Sequence, residues 1–111
     1  MEENHAAFSH PGEFTSQGLE GLMKDKASGR KAAVSQAVGQ LGGKVESMYY
    51  CFGKYDVLVI AEVPDNVSAA ALSLAAWASG LVRIDTTPLL SVEETDKALA
   101  KTVEYRAPGK K

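Results

Sequence analysis

A single cysteine, Cys51, is the whole thiol content of this 111-residue chain, so no intrachain disulfide can form. Long apolar runs are missing as well. The longest weakly polar stretch, residues 67–81, is rich in Ala and Ser and falls short of the ~20 apolar residues that span a bilayer. The opening Met1-Glu2-Glu3-Asn4-His5 is polar and acidic and has no apolar core of a secretory signal. Charge of one sign is scarce: the formal net charge is −2, too small for long-range steering. No basic stripe marks a nucleic-acid footprint. The expectations are therefore no membrane partner, no nucleic-acid partner, no cofactor and a cytoplasmic location.

What remains is ordinary for one globular domain. Hydrophobic residues make up 45% and charged residues 23%. A chain of this length buries about 65% of its unfolded surface, enough for one modest core.

The clearest local feature is a β-hairpin over Lys44–Val63. Lys44 to Phe52 alternates and carries the β-formers Val45, Tyr49, Tyr50 and Phe52, while Val57–Val63 is apolar almost without a break. Gly53-Lys54-Tyr55-Asp56 joins them, with Gly53 available for positive φ. Pro64 ends the second strand because it cannot donate to the ladder.

Helices flank the hairpin. Ser28 is a candidate N-cap for a helix to Leu41, in which Ala33, Val34, Ala37, Val38 and Leu41 form the apolar stripe. Gly42-Gly43 supplies a left-handed residue to close it. Residues 16–23, interrupted by glycine, read as its ragged start. Asp65 or Asn66 caps a second helix from Val67 to Ser79, with Val67, Ala70, Ala71, Leu74 and Ala78 as the expected buried stripe and Gly80 as its stop. Val82 to Thr87 alternates as a strand, and Ser91-Val92-Glu93-Glu94 is a capping box that opens a final helix to about Ala100. Residues 101–111 have no periodicity and form a tail that either hangs free or straps across a neighbour.

With a strand placed before the first helix, the order becomes β-α-β-β-α-β plus a C-terminal helix. This is the ferredoxin-like α+β arrangement, a four-stranded antiparallel sheet with both main helices on one face. Residues 57–63 are apolar on both sides: Val57, Val59, Ala61 and Val63 on one, Leu58 and Ile60 on the other. An antiparallel strand wetted on one face should alternate, and leaving Leu58 and Ile60 in water is unfavourable by roughly 1.5–3 kcal/mol each. A second copy packing sheet to sheet covers them, so the expected partner is the chain itself, as a two-fold dimer or higher homo-oligomer.

Phe52-Gly53-Lys54-Tyr55-Asp56, with Gly53, Tyr55 and Asp56 as signature, resembles the GYD-domain proteins, small bacterial domains named for that tripeptide. The similarity continues through Phe14-Thr15-Ser16-Gln17-Gly18, Gly29-Arg30-Lys31-Ala32-Ala33-Val34, Leu41-Gly42-Gly43-Lys44, Val63-Pro64-Asp65-Asn66-Val67 and Lys101-Thr102-Val103-Glu104-Tyr105-Arg106, spanning about residues 14–108. The resemblance implies a ferredoxin-like domain of the dimeric α/β-barrel type. Relatives of that barrel include cofactor-free monooxygenases, isomerases and haem-binding proteins, so it spreads the functional expectation instead of narrowing it.

The start of the chain departs from that pattern. Pro11-Gly12 falls where the central strand is expected, and proline there argues against a strand. Either the strand begins near Glu13, or Ala6-Ala7-Phe8 pairs and Pro11-Gly12 makes a bulge. The corresponding division is a divergent segment over 1–12, the domain over 13–100 and a tail over 101–111.

The residues with chemistry are few. Cys51, beside aromatics, reads as a buried hydrophobe, since no histidine follows it to act as base. His5, His10 and Glu13 make at best a weak metal site, and none is assigned. His10 is the one candidate base or haem ligand at neutral pH; its bland reading is an exposed polar residue. Asp56 reads as pinning the turn and Tyr55 as covering the end of the core. Arg83 and Asp85 share a strand face on the dimer side, where they pair with each other or where Arg83 anchors an acidic ligand. Trp77 reads as core or interface. Two functions stand: a non-catalytic homo-oligomeric module that binds a small molecule or serves assembly, and a small cofactor-independent enzyme using Tyr50, Arg83, Asp85 or His10 in a barrel cavity. Haem binding is a distant third.

Overall fold

Nine residues from Ala6 to Phe14 form the central strand β1, in the segment where the sequence argues hardest against one. The computed structural model describes residues 6–110. Beyond β1 the chain runs through α1 (Ser16–Gln40), β2 (Lys44–Tyr50), β3 (Val57–Val63), α2 (Asn66–Ala78), β4 (Val82–Ile84), β5 (Thr87–Leu89) and α3 (Val92–Leu99). The sheet order is β2-β3-β1-β4, with β5 also on β1 and every pairing antiparallel. That is the α+β arrangement expected, with a fifth strand where one run over Val82–Thr87 was anticipated. Asp85-Thr86 interrupts that run.

The same interruption explains how Pro11 is tolerated. β1 is continuous, pairing from Ala6↔Val63 to Gly12↔Val57 with β3, so neither a start near Glu13 nor a bulge at Pro11-Gly12 occurs. The Pro11 carbonyl faces the other edge, where it accepts from the Asp85 amide at 3.0 Å. On that edge β4 reaches Gly12 and β5 reaches Ser9. The missing N–H of Pro11 therefore falls in the gap between two short strands, where the ladder needs no donor.

The hairpin stands as expected, with Tyr50 opposite Val57 and a bulge between Val45 and Ser47. Its connection is longer than a tight turn. Phe52 is fully exposed outside β2, Cys51 is half-buried just past the strand, and Gly53 does not adopt positive φ. Gly42, by contrast, closes α1 at φ +79°, as anticipated.

Helix α1 begins at Thr15, not Ser28. The Thr15 hydroxyl accepts from the Gly18 amide at 3.1 Å, and Ser28 lies within the helix. Gly18 serves packing here: it is buried, and a Cβ would overlap the Leu81 carbonyl. Lys26, at φ +66° and ψ +164°, divides α1 into two arms. Such a conformation costs a side-chain-bearing residue on the order of 1–3 kcal/mol.

The core lies between the sheet and the two long helices. Phe8, Val57, Val59, Ala61 and Val63 from the sheet meet Val38 of α1 and Ala69 and Leu72 of α2. The stripe expected on α2 is rotated away from this core. Val67 is 78% and Leu74 59% exposed, whereas Ala69 is 1% exposed. Nearly every residue of α2 is small or apolar, so two stripes share one period and only the cap and sheet select between them. The cap is Asp65, which accepts from the Ser68 amide at 2.8 Å. Trp77 is exposed under the Arg83 guanidinium, 4.4 Å from its ring centre, so it is not core.

Past β5 the chain packs less. The capping box forms as expected, Ser91 and Glu94 satisfying each other's amides, yet α3 has no buried residue. Residues 101–110 form no helix or strand. The radius of gyration, 17.1 Å, exceeds the ~13 Å of a compact chain of this length.

Replacing Gly18 by Ala should lower the unfolding free energy by about 1–3 kcal/mol, measured by urea denaturation. Gly21, whose added Cβ meets nothing within 4 Å, is the control. Gly21→Ala should stabilise by about 0.5–1 kcal/mol.

Candidate functional site

His10 decides where the site lies. On β1, Phe8, His10 and Gly12 alternate toward the helices, and His10 is 1% exposed, which overturns its reading as an exposed polar residue. Its Nδ1 lies 3.3 Å from the Thr86 hydroxyl, which in turn contacts the Ser73 hydroxyl. β1, the β4–β5 link and α2 thus converge on one imidazole. Its Nε2 is buried without a partner among the described residues. Burial holds the imidazole below its ordinary pKa, so it is neutral at pH 7.

His10 lines a cavity of about 350 Å3 that lies between the sheet and both long helices and opens to solvent. Phe14, Met48, Val57, Val59 and Ile84 form its floor, and Leu22, Val34, Ala37, Leu72 and Ala76 its roof. Charge enters only through Asp25 and Arg30, which flank the Lys26 break and pair at 3.7 Å. The cavity is thus on the helix side of the sheet, not in the interior of a sheet-to-sheet dimer where a site was expected.

The other three candidates stand elsewhere. The Tyr50 hydroxyl donates to the Ala27 carbonyl at 3.3 Å, and burial raises its pKa against an opposing pull from Arg30. Arg83 stacks on Trp77, and Asp85 accepts from the Tyr55 hydroxyl at 2.8 Å, which raises the pKa of that phenol. Within the chain, Arg83 and Asp85 therefore have separate partners. His5 lies outside the described residues, and among the described residues no group of three potential ligands could hold a metal.

Two of the three signature residues, Tyr55 and Asp56, form a latch. The Asp56 carboxylate accepts from the Phe14 amide at 2.9 Å, and the Asp56 amide donates to the Gly12 carbonyl at 2.9 Å. The Asp56 side chain thus pins the end of β1 and not the turn, which the Asp56 carbonyl closes by accepting from the Cys51 amide at 2.9 Å. Tyr55 ties the turn to Asp85 instead of covering the core. Sequence reasoning missed Arg30, Thr86 and Ser73. No local signal singled out Arg30, since Glu20, Lys24, Asp25, Lys26 and Lys31 lie on the same helix.

Linkage gives a direct test of His10. Its folded pKa lies below the unfolded value of about 6.5. Below pH 6.5 the unfolded chain takes up a proton that the folded chain refuses, so stability falls as the pH drops and levels off below the folded pKa. Denaturation at pH 7.5 and 5.5 should show a loss of up to about 1.4 kcal/mol per pH unit, and His10→Phe should flatten it. An equal loss in the variant would remove His10 as the cause.

No helix among the described residues is long and apolar enough to cross a membrane. The chain matches no curated protein and no solved structure. The family model of the GYD domain matches residues 11–99, from the middle of β1 to the end of α3. With Gly53, Tyr55 and Asp56 in place and the α+β sheet around them, the chain belongs to the GYD-domain family.

Proposed function

We propose that this GYD-domain chain is a homo-oligomeric module that binds a small molecule in the cavity between sheet and helices. The observation that carries the reading is an apolar cavity lined by His10, whose Nε2 is buried without a partner among the described residues. Buried polar atoms are matched in native proteins, and an apolar pocket with a few polar groups is the usual form of a ligand site. A module serving assembly alone would have no use for such a cavity.

The oligomer rests on the opposite sheet face. Leu58 and Ile60 are only half-buried there, beside Tyr49 at 65% exposure. Exposed apolar side chains recur along the C-terminal segment at Leu90, Val92, Leu99, Val103 and Tyr105. A second copy burying these surfaces would remove them from water together.

The neutral imidazole favours a second reading, a cofactor-independent enzyme in which His10 moves a proton. Deuterium exchange into a bound ligand in D2O, abolished in His10→Phe, would mark it. Haem binding has no observation that favours it over a smaller ligand in this cavity.

Two measurements test the main reading. In a thermal-shift screen of chemically diverse small molecules, a compound at 100 times its Kd should stabilise the chain by about 2.7 kcal/mol, roughly 10 °C. Ala76→Phe, which places a ring in the cavity, should abolish the shift; a library without hits sinks the ligand reading. Sedimentation at micromolar concentration should show a dimer or larger, and Ile60→Lys should shift it toward monomer. A wild-type monomer sinks the oligomer.

A further inference from the structure

The cavity is polar at two places only, and they differ in kind. Its lining includes the buried His10, and its other polar group is Arg30 with Asp25. Ser79 also lines the wall, but its hydroxyl already donates to the Ala76 carbonyl at 2.6 Å. An occupant must therefore match an imidazole nitrogen and a guanidinium while keeping an apolar body between them.

His10 sets the first requirement. Its Nε2 is buried and unmatched among the described residues. A lone water needs two to four polar partners, and these walls offer it little besides the imidazole. The tautomer depends on whether the Thr86 hydroxyl donates to or accepts from Nδ1. A hydroxyl on the ligand both donates and accepts, so it matches Nε2 in either tautomer, whereas a carbonyl or an ammonium matches only one.

Arg30 sets the second. Its side chain is 33% exposed and that of Asp25 51%, so the cation is the more enclosed partner. Their separation of 3.7 Å is long for a charge-assisted hydrogen bond. A guanidinium with five donors is therefore left with capacity for a carboxylate in two-pronged geometry. Arg30 also follows the Lys26 break while Asp25 precedes it, so the two sit on different arms of α1.

Size sets the third. At about 30 Å3 of liquid volume per water, a cavity of about 350 Å3 holds a dozen waters, or a molecule of about that many non-hydrogen atoms. We propose that the cavity binds a compact hydroxy acid with an aromatic or alicyclic body, its hydroxyl on His10 Nε2 and its carboxylate on Arg30. The inference rests on the reading of the cavity as a ligand site and specifies the class.

Titration calorimetry at pH 7.5 tests it with 4-hydroxybenzoate, 4-hydroxyphenylacetate and 3-(4-hydroxyphenyl)propanoate, which differ in the distance between their ends. The controls are the same acids without the hydroxyl, and 4-ethylphenol without the carboxylate. At least one hydroxy acid should bind about tenfold or more tightly than either control, since each control leaves a group on the wall unmatched. Arg30→Gln should erase the advantage over 4-ethylphenol and keep the advantage over the dehydroxy acid. His10→Phe should do the reverse. Should His10→Phe not fold, the 15N resonance of Nε2 in the wild-type chain should move on adding the hydroxy acid and not on adding the dehydroxy acid. Controls that bind as tightly as the hydroxy acids overturn the proposed class and leave the cavity a ligand site. Failure of the whole series to bind also overturns the class, while the diverse library separately decides whether any ligand binds.

Discussion

The placement of β1 depends on what Asp56 does at its end. Its carboxylate and its amide both bind β1, at Phe14 and Gly12, and hold the strand in one register against β3. Side chains on a strand alternate, so a slip of one residue would turn Phe8 and His10 out of the core and bring Ser9 and Pro11 in. The hydrogen bonds of one aspartate thus help decide that an imidazole is buried. The family signature and the candidate site are linked through this register, although Gly53, Tyr55 and Asp56 do not line the cavity.

Around that register the helices leave room. α1 is fastened at its two ends, by Gly18 against Leu81 and by Val38 in the core, and it breaks at Lys26 between them. α2 meets the sheet through Ala69 and Leu72. Small side chains such as Ala33, Ala37, Ala75 and Ala76 line the space between, which is why the sheet and helices leave an open cavity instead of a filled core. Interiors are normally close-packed, and a void lined by small residues with one unmatched imidazole is the arrangement a ligand would complete.

The opposite side of the molecule carries a different kind of incompleteness. The sheet's outer face and the segment after β5 expose apolar side chains, and the chain is more extended than a compact domain of its length. Both features belong to the outer surface, whereas the cavity lies between the chain's own sheet and helices. Assembly and ligand binding can thus occupy opposite faces of one sheet without competing for the same residues.

Sequence alone determined the elements whose signals are local. The hairpin, a cap at Asp65 or Asn66, the capping box at Ser91, the closing Gly42 and Gly80, and the signature that identifies the family all depend on residues within a few positions of one another. Tertiary structure decided the rest. Pro11 is accepted in a central strand because two separate short strands share its edge. α2 buries Ala69 and Leu72 because a helix apolar on most sides has no preferred face until a sheet selects one. His10 became the site because burial is a property of neighbours far along the chain, Thr86 and Ser73 among them, and no local pattern encodes it.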